Sequence, residues 1–374
     1  MTTGSGGSKM NSTQTDREAA IRDFLIDAEW GDAHRESLGE DASTRSYERL
    51  SLGSETAILM NAPPAAEGRI CGRDASVTER VLAGWNGRSR LAACRVDAFV
   101  GIAQHLERLG LASPHIIAFD VEQGLCLLED LGEGIYAREL EKGADELQLY
   151  TAAVEALAHV HRAPVPDSVM AVDYEWPILP FDTLALTTGA DLFPKWYPNF
   201  DERVRFKGAI ARDFADLVSD HSEHLASLPK VFMLRDYHAE NLLWLPDRSG
   251  LQRVGILDFQ DAVAGPAAWD LAMFLQDARR DVSPDIQEAT LHRYLDLTGH
   301  DDQTFRKDYA IAGAINALRI IGVFARLISR DGKPRYRDFL PREWGHLNDN
   351  LKNPVLADLR RILETAAPDM IEPI

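Results

Sequence analysis

Two short apolar runs, residues 231–234 and 254–257, bracket the part of this 374-residue chain that most restricts its fold. The first opens into Leu234-Arg235-Asp236-Tyr237-His238-Ala239-Glu240-Asn241, with an acid and an amide five residues apart on a loop. The second ends in Leu257-Asp258-Phe259-Gln260-Asp261, with Asp258 17 residues beyond Asn241. Short apolar runs bounded by polar residues read as buried strands. Such strands bring Asp236, Asn241 and Asp258 into one small volume. That set meets the demands of phosphoryl transfer. A carboxylate orients the attacking hydroxyl and accepts its proton, and hard oxygen donors hold magnesium on the phosphates. Taken singly, each residue also has a plain structural reading: Asp236 and Asn241 cap a turn, and Asp258 ends a strand.

The character of the chain changes along its length. Residues 16–29 carry Ile21, Phe24 and Leu25 on one helical face. Strand-like stretches follow at 47–50, 56–60, 115–119 and 125–128, with turns at Gly53 and Gly124 and a helix around 99–109. After Gly132 helical periodicity dominates, through residues 150–161 and 210–228 and nearly everything from Trp269 onward. The fold class expected is α+β: a small antiparallel β-rich lobe over residues 16–131, a hinge at 129–132, and a larger mainly helical lobe over 132–374. Residues 1–15, rich in Gly, Ser and Thr, read as a disordered tail. Residues 62–95, opened by Pro63-Pro64, read as an insertion, either a lid over a nucleotide or a mobile surface loop.

Charge and composition narrow the partners. A formal net charge of -19 repels nucleic acid and anionic membrane surfaces, so neither is an expected partner. Acidic balance also suits a polycationic substrate, although many cytosolic enzymes share it. No apolar run approaches the ~20 residues of a membrane helix. Cys71, Cys94 and Cys126 are odd in number and lack metal-ligand spacing, which fits reduced thiols in a cytoplasmic protein. A monomer acting on a small molecule is expected.

The Asp236–Asn241 loop and Asp258 resemble the Asp-x-x-x-x-Asn catalytic loop and metal-binding Asp of the aminoglycoside phosphotransferase family, relatives of the protein kinases. The similarity extends from about residue 20 over most of the chain. It includes Asp41-Ala-Ser-Thr-Arg-Ser-Tyr47, Leu127-Leu-Glu-Asp-Leu-Gly132, Trp269-Asp270-Leu271 and Gly322-Val-Phe-Ala-Arg326. The wording around Asp258 and at Gln276-Asp-Ala-Arg-Arg-Asp281 is most similar to the branch of anomeric N-acetylmuramate and N-acetylglucosamine kinases, which recycle cell-wall sugars. The resemblance implies a protein-kinase-like fold, ATP and Mg2+, Asp236 as catalytic base, and Asn241 and Asp258 as magnesium ligands. It implies a structural role for Asp270 and adenine against the hinge backbone near Glu129 and Leu131. Two departures stand out. Leu234 replaces the His that usually opens the catalytic loop, and Met60 stands where a phosphate-binding Lys is expected. Methionine donates no hydrogen bond to phosphate.

Arg45 is the nearest replacement cation, because its fork suits phosphate oxygens. Ser43, Thr44 and Ser46 offer hydroxyls and backbone N–H groups to the phosphates from a polar turn. On the acceptor side the candidates are His238 and Glu240 in the catalytic loop, Arg279 and Arg280 after the metal site, and Trp196 as a sugar-stacking ring. Each has a bland alternative: an exposed surface charge for Arg45, core packing for Trp196, and a helix C-terminus for Arg279 and Arg280. Arg319 and Arg326, seven apart on one helical face, are read as partners for buried acids. The function expected is an ATP-dependent kinase of an amino-sugar hydroxyl. The alternatives are an aminoglycoside kinase conferring resistance, whose pocket carboxylates would line, and a pseudokinase binding module.

Overall fold

The computed structural model describes residues 6–40, 45–64 and 68–372. Helix α1 (Gly6–Asp27) starts before the expected Asp16, so the stretch read as a disordered tail is helical from Gly6. Composition marks only the lack of an apolar stripe there, and helical hydrogen bonding continues past the turns that pack. Those turns supply Ile21 and Leu25, both buried. Strands β1 (His34–Glu40), β2 (Ser46–Leu52) and β3 (Glu55–Asn61) form a meander. The next segment contains helices α2 (Val77–Leu82) and α3 (Trp85–Ser89), and leads to α4 (Val96–Arg108). Strands β4 (Ile116–Asp120) and β5 (Leu125–Glu129) complete a five-stranded antiparallel sheet of order β1-β2-β3-β5-β4.

The period-2 alternation of strands gives this sheet two faces. Leu50, Ala57, Leu59, Leu125 and Leu127 turn one way and pack with Ile21, Leu25 and Trp30. Met60, Cys126 and Leu128 turn the other way and join the main core with α4. The register pairs Met60 with Cys126 and Ile58 with Leu128. Gly124, at φ +67°, lies against the main chain where the chain leaves β3. A Cβ there would stand 2.1 Å from the Ala62 carbonyl oxygen, so only glycine fits.

Beyond the hinge come α5 (Tyr136–Glu141), α6 (Glu146–Arg162), the hairpin β6 (Ser168–Ala171) and β7 (Tyr174–Pro177), and helices α7 (Thr183–Ala190), α8 (Leu192–Phe200) and α9 (Ala209–Ser227). Four short strands then frame the informative loops: β8 (Lys230–Met233), β9 (Leu242–Trp244), β10 (Val254–Ile256) and β11 (Val263–Pro266). They pair antiparallel, β8 with β11 and β9 with β10. Helices α10 (Ala267–Leu275), α11 (Pro284–Thr298), α12 (Asp302–Ser329), α13 (Leu340–Asn350) and α14 (Ala357–Ala366) close the larger part. Helix α12 is apolar enough over 18 residues to cross a bilayer by composition, but 67% of that window is buried within the protein. It is the central helix of the core, with Ile311, Ile315, Leu318 and Ile321 fully or nearly fully covered.

The segment 68–95 is a packed element rather than a mobile surface loop. Ser76 and Glu79 form a reciprocal capping box at the start of α2. Arg80 reaches both carboxylate oxygens of Asp182 at 2.5 and 2.9 Å and the carbonyl oxygens of Gly87 and Arg88. Arg90 donates to the carbonyls of Gly72 and Arg73. Arginines that composition assigns to solvent are here buried cross-links, and they turn a polar sequence into a wall beside the loop after β8.

Candidate active site

Asp236 stands on the turn that follows β8. Arg235 adopts φ +75°, a region unfavourable for a side-chain-bearing residue, and the Asp236 N–H donates to the Leu234 carbonyl at 2.9 Å. Fully buried Asp270 on α10 holds this shape. Its Oδ2 accepts the Leu234 N–H at 2.6 Å and its Oδ1 the Arg235 N–H at 2.7 Å. His161 Nε2 lies 3.1 Å from Asp270 Oδ2, and His161 Nδ1 lies 2.7 Å from the Tyr294 hydroxyl. A chain of three buried polar groups thus clamps the loop. The Arg235 guanidinium donates to the Ser89 carbonyl at 2.9 Å and lies over the Phe181 ring.

Asn241 ends the same loop. Its Nδ2 donates to the Asp236 carbonyl at 2.9 Å, which ties the two ends together and directs the amide oxygen to outside partners. The Leu257 N–H donates to the Asn241 carbonyl at 2.9 Å, so the chain leaving β10 runs beside Asn241 and delivers Asp258 there. Asp258 has φ +53° and accepts at Oδ1 from Arg45 Nη2 (2.9 Å) and Gln260 Nε2 (3.0 Å). Arg45 is largely covered, at 11% side-chain exposure, while Asp258 keeps 39%. An amide oxygen and a partly open carboxylate are hard donors of the kind magnesium takes, with remaining positions for phosphate or water. Among the described residues no group of three or more His, Cys, Asp and Glu forms a metal cluster. A site completed by an amide and by substrate oxygens would not produce one.

A cleft of about 420 Å³ opens next to this pair. The smaller part contributes Tyr47, Ile58 and Leu128, and the hinge contributes Glu129, Leu131 and Gly132. Leu243, Leu257, Asn241 and Asp258 form the floor. The walls are mainly apolar and the polar end is at Asn241 and Asp258. Glu129 also bonds Arg248 at 2.5 Å, which fixes the hinge to the larger part.

The remaining sequence candidates divide. Ser43 and Thr44 lie outside the described residues, and Ser46 begins β2 opposite Asn61. Met60 is 1% exposed in the core, so its side chain plays no part in the cleft. His238 is buried beside Asn241, with Nε2 3.3 Å from the amide nitrogen, and burial together with Arg279 lowers its pKa below the usual histidine value. Glu240 is exposed. Arg279 is exposed on the turn after α10. Arg280 is drawn away to the Tyr150 hydroxyl (3.1 Å) and Glu146 (3.3 Å) on α6. Trp196 lies under Arg330, just past the end of α12. Asp261, not singled out from sequence, accepts the Ala92 N–H at 2.6 Å, and burial pushes its pKa up to about 6. Its acid character gave no signal because its partner is a main-chain group 169 residues earlier.

Comparison with known proteins agrees with this geometry. The model of the phosphotransferase enzyme family matches residues 34–307. An N-acetylmuramate/N-acetylglucosamine kinase of Caulobacter vibrioides is 47% identical over 355 residues, covering 95% of this chain and 98% of the relative. A protein of the same name from Pseudomonas putida is 28% identical, covering 92% of each chain. Among solved structures, a choline/ethanolamine kinase family protein from Mesorhizobium loti aligns with a TM-score of 0.55 at 15% identity, over 93% of this chain and 99% of that one. A choline kinase from Streptococcus pneumoniae aligns equally well, at 0.55 and 13% identity, over 89% and 99%. These structures share the two-lobed fold, with its β-rich smaller part and helical larger part. A loop carrying Asp236 and Asn241, a strand end carrying Asp258 and a family match across most of the chain lead to one conclusion: this protein belongs to the phosphotransferase enzyme family.

Proposed function

We propose that this protein is an ATP- and magnesium-dependent kinase that phosphorylates the anomeric hydroxyl of N-acetylmuramate and N-acetylglucosamine. The observation that carries the reading is the pair Asn241 and Asp258 at the polar end of one cleft, with Asn241 bonded to the main chain of Asp236 on the same loop. The name of the 47%-identical relative supplies the sugars. Adenine lies between the apolar walls at Ile58, Leu128 and Leu243, with the hinge main chain near Glu129 and Leu131 reading its edge. Asn241 and Asp258 hold magnesium, which neutralises charge on the phosphates when bound. Arg45 supplies a cation to the phosphates in place of the residue lost at Met60. Asp236 orients the sugar hydroxyl and takes its proton as the new O–P bond forms and the bond from the γ-phosphorus to the bridging oxygen breaks. A cell-wall sugar salvaged with ATP implies a cytoplasmic reaction.

A polycationic aminoglycoside is a poorer match, because the charges around Asp236 and His238 are mixed, with Arg279 and Arg319 among Asp277 and Glu343, rather than carboxylates alone. A binding module without activity has no physical need for the base and both metal-binding oxygens. The test is ATP consumption over a panel of N-acetylmuramate, N-acetylglucosamine, choline, homoserine and kanamycin. Turnover with the two amino sugars is expected. Turnover confined to kanamycin or choline contradicts the reading.

A further inference from the structure

On the helical side of the catalytic loop, several buried polar groups have side-chain atoms with no protein partner. His238, Trp269, Asp277 and Glu343 are 7, 1, 2 and 1% exposed. Each has a side-chain atom with no hydrogen-bond partner: His238 Nδ1, Trp269 Nε1, Asp277 Oδ2 and Glu343 Oε1. Buried polar atoms are normally paired, so four without a protein partner in one region need partners from outside the chain, water or a polar ligand. Two are donors. The Asn241 amide nitrogen sits 3.3 Å from His238 Nε2, which assigns the ring proton to Nδ1. The indole Nε1 donates only.

Arg319 links these groups to the catalytic base. Its guanidinium lies over the Trp269 ring at 5.7 Å, donates to Asn316 Oδ1 at 3.0 and 2.8 Å, and sits in the fields of both Asp236 and Glu343. The turn after α10 completes the cluster. The Arg279 N–H donates to Asp277 Oδ1 at 2.8 Å, and the Arg279 charge bears on both His238 and Glu343. Helix α13 is fastened to that turn by Arg342 Nη1, which donates to the Ala278 carbonyl at 2.9 Å.

We propose that this cluster binds the acceptor, with Glu343 and Asp277 pairing to a sugar hydroxyl and Arg279 selecting for a carboxylate on the sugar. The proposal rests on the amino-sugar reading above. Burial and the nearby Asp277 push the Glu343 pKa up, which favours the protonated acid, a donor, while Arg319, Arg279 and Arg342 oppose the shift. Asp277 accepts. A sugar hydroxyl does both, so one donor and one acceptor are its complement. N-acetylmuramate differs from N-acetylglucosamine by a lactyl ether ending in a carboxylate. Exposed Arg279 is the cation positioned to meet it, since Arg280 is held by Tyr150 and Glu146.

Steady-state kinetics with both sugars tests this, with KM for ATP and thermal melting measured alongside. Arg279→Ala is expected to raise the ratio of KM for N-acetylmuramate to KM for N-acetylglucosamine about tenfold. Glu343→Met, which keeps volume and removes polarity, is expected to raise KM for both sugars about tenfold with KM for ATP unchanged, and Glu343→Gln to recover most of that loss. An unchanged ratio in Arg279→Ala together with wild-type sugar KM values in Glu343→Met overturns the proposal. Should Glu343→Met fail to fold, the Arg279→Ala ratio decides alone, because that side chain is exposed. A wild-type enzyme that phosphorylates neither sugar overturns the functional reading itself, a result distinct from intact turnover with insensitive variants.

Discussion

Arg45 is the residue that the proposed function puts in place of a cation at Met60. The strand position expected to carry a phosphate-binding cation holds Met60, and β3 buries that side chain in the core. Arg45, just before β2, reaches Asp258 Oδ1 at 2.9 Å. In the proposed function Asp258 would hold magnesium and Arg45 would meet the phosphates, so both partners of this pair would also serve the bound nucleotide. Arg45→Ala should raise KM for ATP several-fold, with a smaller effect on KM for the sugar; an unchanged KM for ATP removes Arg45 from the phosphate site. Sequence alone made this residue visible through charge and position. It did not reveal Glu343, because a lone acid on a helix gives no sign that its surroundings are dry. Nor did it separate Arg279 from Arg280, which differ only in the side chains that other helices bring near them.

At the scale of elements, the strand–loop–strand frame around Asp236 was legible because apolar runs and a polar loop alternate over a short distance. The role expected of Asp270 on α10 agrees with its bonds to the loop main chain. The 62–95 segment was not legible. Its structure depends on Arg80 and Arg90 reaching carboxylate and carbonyl oxygens, and no local pattern encodes such contacts. Asp261 joins this segment to the site by accepting the Ala92 N–H. Its folded pKa of about 6 lies above the ordinary 3.8, so the ionised form is the one that burial penalises. The stability linked to this group is therefore complete below pH 3.8 and lost as pH rises through 6. Asp261→Asn keeps an oxygen for Ala92 and does not titrate. The melting temperature of the variant minus that of the wild type should grow as pH rises to 6 and then level off; a difference independent of pH contradicts this account.

Across the whole molecule, a β-rich part and a helical part meet at a hinge, and both were readable from the switch between period 2 and helical spacing. The packing between distant helices was not. Gly322 on α12 comes so close to α8 that an added Cβ would stand 2.4 Å from the Leu192 carbonyl carbon and 2.5 Å from the Phe193 nitrogen. Both are main-chain atoms and cannot swing aside. Gly322→Ala should destabilise the protein by about 1–3 kcal/mol in chemical denaturation, and a neutral effect means the two helices separate easily. The same rigidity lets α12 hold Arg319 beside the catalytic loop while the sheet holds the nucleotide walls. In the proposed function, transfer of the γ-phosphoryl group depends on the Asp236 carboxylate. The most direct test compares wild type and Asp236→Asn for transfer of label from γ-labelled ATP to N-acetylglucosamine, with nucleotide affinity measured in parallel. The account predicts that labelled sugar phosphate forms with the wild type and falls by orders of magnitude in the variant while ATP binding stays near wild type. A variant that transfers label at close to the wild-type rate would contradict it.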